Sequence, residues 1–114
     1  MLSVTEKFSW LKETLKSLSS VLEIESEKEI GFRVYDELDI DIHSALCDTN
    51  LEVFVNQNLI TSETSKELAG LRNQTLKLIK QRLEPDQIKL NESWIDISKV
   101  SEQIYVSINN RSVL

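Results

Sequence analysis

The residues best suited to chemistry crowd into Tyr35–His43, which reads YDELDIDIH and holds Asp36, Glu37, Asp39, Asp41 and the chain's only histidine. Asp39, Asp41 and His43 alternate. On a strand they would share one face and could touch a metal, whereas on a helix each two-residue step turns them about 200° apart. A metal site would also call for a second histidine, a cysteine pair, or the glycine and closing glutamate of a calcium loop. The sequence supplies one histidine, one cysteine and no such loop. The expectation is no metal and no cofactor.

Catalysis is not expected either. No G-x-S-x-G elbow presents a nucleophilic serine, and Gly31 and Gly70, the only glycines, cannot build a phosphate-cradling loop. Cys47 follows His43 by four residues and would meet it on a helix. A reactive thiol needs an electropositive setting, however, and acids surround this one. The chain reads as a non-enzyme.

Charge points to binding instead. Residues 23–52 hold ten acids (Glu23, Glu25, Glu27, Glu29, Asp36, Glu37, Asp39, Asp41, Asp48 and Glu52) against Lys28 and Arg33, a balance of −8. The other 84 residues hold nine acids and eleven bases, a balance of +2. The whole acidic excess, −6 overall, therefore sits in about a quarter of the chain. Such a field repels nucleic acid and anionic membrane and attracts basic surfaces. Solubility alone would also be served by an acidic helix.

Two glycines and one proline are too few turn residues for an all-β fold. The chain is expected to be all-α, a single domain over residues 1–114 built as a compact bundle of about five helices. Phe8, Leu11, Leu15, Leu18 and Leu22 lay one apolar stripe along a helix from Thr5 to Leu22, started by a Ser3–Glu6 capping box. Thr49 with Glu52 opens a short helix, and Thr61 or Ser62 caps another that runs to Leu83 and stops before Pro85. Gly70 within it suggests a close helix contact. Ser93 with Asp96 starts a last helix, whose face carries Trp94, Ile97, Val100, Ile104 and Ile108. The tail from Asn110 is expected to fray.

Residues 30–42 are ambiguous. Even positions are apolar apart from Asp36, a strand-like alternation, and a short β element there is the alternative. As a helix, capped by Ser26, the segment puts Ile30, Val34, Leu38, Ile42, Ala45 and Leu46 on one face with Tyr35. Helical neighbours offer no partner strand, so helix is the choice. Phe32 and Ile40 then fall off the apolar face, among acids.

An apolar residue ringed by acids has the makeup of an interface anchor within a charged rim. The expected partner-binding set is Asp36, Glu37, Asp39 and Asp41 against basic groups, Ile40 or Tyr35 as the anchor, and Asp48 and Glu52 widening the rim. The segments FSWLKETLKSLSSVLE, VYDELDIDIHSAL, NLITSETSKELAGLR and SWIDISKVSEQI follow one another in the chain. Their order resembles small helical immunity proteins of bacterial contact-dependent inhibition and related polymorphic toxin systems. The resemblance covers most of the chain as spaced hydrophobes and acids rather than an invariant motif. It implies an inhibitor that binds one cognate toxin domain, commonly a basic nuclease, and has no catalysis of its own.

The main rival is a small helical adaptor or oligomerisation module that docks through the apolar stripes of the terminal helices. The lone Cys47 suits a reducing compartment. MLSVTEKFSW lacks a basic region followed by an apolar run, and no segment approaches 18 apolar residues. The expected location is the cytoplasm.

Overall fold

Ser3 starts the first helix, α1 (Val4–Ser20), of a computed structural model that describes residues 2–113. The Ser3 hydroxyl accepts the Glu6 amide at 3.1 Å, and the Glu6 carboxylate accepts the Ser3 amide at 3.3 Å. Two donors with no partner inside the helix are thereby satisfied together. Phe8, Leu11, Leu15 and Leu18 are buried along one side. Leu22, expected to close that stripe, is only partly buried. Residues Val21–Glu23 tighten into a 3-10 turn, and its smaller turn directs Val21 into the core instead.

Residues 27–45 form one continuous rod: α2 (Glu27–Phe32), a π-helical segment (Arg33–Leu38) and α3 (Asp39–Ala45). The β alternative for residues 30–42 is therefore overturned. Ser26 caps the rod by accepting the Glu29 amide. Ile30, Val34, Leu38 and Ile42 recur every four residues, and all are fully buried. On an ideal α-helix a four-residue step overshoots one turn by about 40°, so such a ridge winds away from its contact line. The i→i+5 bonding of the π segment fits more residues into each turn and takes up part of that drift. The ridge stays on the core.

The chain turns at Leu46 and Cys47 into α4 (Asp48–Asn56). Cys47 occupies the cap position without a side-chain cap bond, two residues before the expected Thr49 start. Asp48 stands in the first turn, where its charge suits the helix N-terminus. Helix α5 (Ser62–Lys80) is capped by Thr61, whose hydroxyl accepts the Thr64 amide at 3.0 Å. It ends short of Leu83. Arg82 adopts a left-handed φ of 52°, and the Gln81 and Arg82 amides close back onto the Leu78 and Ile79 carbonyls. Gly70 is exposed, with nothing within 4 Å of where a Cβ would stand, so no helix contact explains it.

Pro85 begins a helix rather than only ending one. It is the first residue of α6 (Pro85–Leu90), where a missing N–H costs nothing. This short helix raises the expected five helical rods to six among the described residues. Helix α7 (Glu92–Val113) is started by Asn91, whose side-chain oxygen accepts the Trp94 amide at 3.1 Å. The Ser93–Asp96 pair lies inside the helix. Asparagine is among the best capping residues, and its position one turn before Trp94 lets it take that role. Helix continues through the tail to Val113, while Leu114 lies outside the described residues.

The pairing of α1 with α7 is the most extensive between helices. Trp94, Ile97, Ile104 and Ile108 are buried, but Val100 is exposed and Ser101 takes the buried place expected for it. The Ser101 hydroxyl is satisfied within its own helix, donating to the Ile97 carbonyl at 2.7 Å. Ser98 donates to the Ser19 carbonyl at 2.6 Å and ties α7 to the end of α1. All six rods feed one contiguous apolar cluster, within which Phe8 and Phe54 meet edge to face at 5.3 Å.

Candidate functional site

Helical pitch sends the residues of YDELDIDIH to different sides of the rod. Leu38 and Ile42 point into the core. Asp41 is partly buried and accepts a hydrogen bond from Trp10 Nε1 of α1 at 3.2 Å. Tyr35 reaches the α5–α6 connection, where its hydroxyl donates to the Leu83 carbonyl and the Arg82 guanidinium lies 4.9 Å above its ring. Burial pushes the Tyr35 phenol above its ordinary 10.0, opposed by the Arg82 charge and reinforced by Glu84. Ring and hydroxyl are both engaged within the fold. Tyr35 supports the rod, which leaves Ile40 as the exposed member of the expected anchor pair.

Asp36, Glu37, Ile40 and His43 face outward, with Asp39 at their margin. Ile40 is 64% exposed and Phe32, two turns earlier, is 56% exposed. Single exposed apolar residues are normal on any protein surface. Here two of them lie four residues either side of Asp36. Phe32 is absent from the expected binding set, although the off-face placement that singles out Ile40 applies to it equally.

Local pairing spends some of the charge. Arg33 Nε lies 3.5 Å from the Glu37 carboxylate, and His43 lies 3.6 Å from that of Asp39, each one turn away. Arg33 Nε is shielded from solvent and makes no hydrogen bond among the described residues, so its contact with Glu37 is coulombic attraction. Partly exposed pairs of this kind contribute roughly 0–1 kcal/mol. Asp36 makes no ion pair among the described residues.

Asp48 and Glu52 belong to α4. Arg72 of α5, largely buried, donates to the Asp48 carboxylate at 2.7 Å and to the Leu46 carbonyl at 3.0 Å. Asp48 thus helps to fasten the start of α4 to α5, and the Leu46 carbonyl fastens the end of α3. Glu52 borders a shallow α4–α5 groove of about 340 Å³ with Leu51, Val55 and Ala69 in its wall and Lys66 on its rim. Another groove, of about 360 Å³, runs between α5 and α7 beside Leu78, Ile97 and Val100.

Asp39 meets His43 while Asp41 turns to Trp10, so the three residues that a strand would align are divided between two sides. No three His, Cys, Asp or Glu side chains converge as a metal cage among the described residues. Cys47 does not meet His43 as a helical i,i+4 pair. The helix ends at Ala45, and Cys47 takes an extended conformation with ψ 154°, which breaks the helical spacing. The stripes of α1 and α7, which a docking adaptor would present, are buried in the core. No helix among the described residues is long and apolar enough to cross a membrane. Comparison with known protein families, with curated proteins and with solved structures returns no match to this chain.

Proposed function

We propose that this chain is an immunity protein, which binds a cognate bacterial toxin domain in the cytoplasm and neutralises it through the outward acidic face of residues 32–43. The observation that carries this reading is the exposed Ile40 set among Asp36, Glu37 and Asp39. A nuclease holds phosphates with cationic side chains, so carboxylates can occupy the same groups in place of substrate. The acids speed encounter with such a basic surface, and the apolar anchor, once desolvated, slows release. The order of apolar and acidic segments along the chain, similar to that of small helical immunity proteins, supports the same reading. Neutralisation needs only occlusion, with no chemistry by this chain.

Co-expression with the toxin domain encoded beside its gene tests the proposal. Protection of the cells is the expected result, and continued killing despite soluble expression of both proteins rejects immunity. Reversal of Glu37 and Asp39 to lysine should weaken complex formation by about tenfold or more without loss of helix content. Undiminished affinity would remove this face from the proposal.

A further inference from the structure

Phe32, Asp36 and Ile40 follow one another at intervals of four, like the core residues on the opposite side of the rod. The drift that would skew three such positions on an ideal α-helix is reduced by the same π segment that keeps Ile30–Ile42 on the core. The outward residues therefore form a ridge, with the two apolar residues up to roughly 12 Å apart along the rod axis for eight residues at the α-helical rise. Between them stands a carboxylate without an ion pair among the described residues. Its neighbours Glu37 and Asp39 are each attended by a cationic or basic side chain one turn away. Apolar, anionic, apolar is the order along the ridge.

We propose, resting on the reading of residues 32–43 as a protein-binding face, that Phe32, Asp36 and Ile40 dock as one unit into a partner groove. That groove has two apolar sockets with a guanidinium or ammonium group between them. Charge complementarity selects this occupant. The segment of residues 23–52 carries −8, so a cation in the groove is attracted before contact and meets Asp36 after it. A second copy of this chain, docking ridge to ridge, would bring two such segments together and be repelled. The arrangement is recognition of a helix by a groove, in which anchors on successive turns of one face enter separate sockets.

The probe is N,N′-bis(phenethyl)guanidinium, which carries two apolar groups on either side of one cation, titrated into the isotopically labelled full chain and followed by amide NMR shifts. Saturable shifts confined to residues 32–43 are expected. Asp36→Asn should weaken binding about fivefold, while Glu37→Gln changes it by less than about twofold. The one-armed phenethylguanidinium should bind about tenfold more weakly, since it covers only one of the two exposed apolar side chains. Far-UV circular dichroism shows that each variant keeps its helices. Equal effects of Asp36→Asn and Glu37→Gln, shifts centred on the α5–α7 groove, or ridge shifts that grow with protein concentration alone would overturn the proposal. Toxin protection is scored separately. Failure to protect cells, with the probe result intact, removes immunity and leaves the ridge; full protection by Phe32→Ser with Ile40→Ser removes the ridge and leaves immunity.

Discussion

Along residues 27–45, Ile30, Val34, Leu38 and Ile42 are fully buried, whereas Phe32, Asp36 and Ile40, offset by two residues and equally spaced, face outward. An offset of two residues turns a helical side chain about 200°, so the two ridges lie on opposite sides of the rod. Their difference is chemical. The inner ridge is wholly aliphatic, and each of its residues contributes about 1.5–3 kcal/mol by leaving water. The outer ridge has a carboxylate at its centre, which an apolar core would have to desolvate at considerable cost. The unburied area of Phe32 and Ile40 is therefore available for association rather than folding.

The largest test of this contrast is Leu38→Ala, which should cost about 3 kcal/mol in chemical denaturation because a cavity opens in the core. Ile40→Ala should change stability by less than about 0.5 kcal/mol. Equal destabilisation by the two would erase the distinction between the ridges. Next in size, Ile40→Ala should weaken binding of the cognate toxin domain by about 2 kcal/mol, roughly thirtyfold, in titration calorimetry. Unchanged affinity would leave the outer ridge without its anchor.

Tyr35→Phe, at the border between the ridges, should cost about 1 kcal/mol through loss of the hydroxyl bond to the Leu83 carbonyl. The sign of the pH effect follows from the raised phenol. The folded state holds the Tyr35 proton more tightly, so that stabilisation is full below the ordinary 10.0 and is lost as pH rises through the higher folded value. Denaturation curves above pH 10 should therefore fall less steeply with pH for Tyr35→Phe than for the parent chain. Smallest is Gly70→Ala, on an exposed side of α5 with open space around it, which should raise stability by about 0.5–1 kcal/mol. A loss there would reveal a contact that the outer surface of α5 does not show.

The apolar stripe of α1 was legible from helical period alone, whereas the inner ridge and the outward placement of Phe32 and Ile40 followed only after helix was chosen over the strand-like alternation of residues 30–42. Helix starts were legible in part. Ser3, Ser26 and Thr61 do cap, but Asn91 displaces Ser93, since either can begin a helix and the fold needs only one of them. Pro85 reads as a stop and is also a start, which hid α6. Val100 stands exposed because the alternating three- and four-residue spacing of the buried Trp94, Ile97, Ile104 and Ile108 passes through Ser101, which apolar character alone does not select. Of the candidate binding residues, Asp36, Glu37, Ile40, Asp48 and Glu52 stand exposed, whereas Tyr35 and Asp41 hold internal hydrogen bonds. Those bonds join residues 48 and 31 positions apart. No local pattern reports them.

By itself the sequence determined that the chain is helical overall and that its acidic excess lies in residues 23–52. Each follows from composition or from the 3.6-residue period, which act within a few turns of chain. Only tertiary structure decided that residues 33–38 widen into a π-helix, that Tyr35 and Asp41 are held by Leu83 and Trp10, and that Asp48 serves Arg72. These depend on where distant helices come to rest. The same neighbours offer residues 30–42 no partner strand, and once that segment is helical its own pitch divides Asp39 and His43 from Asp41.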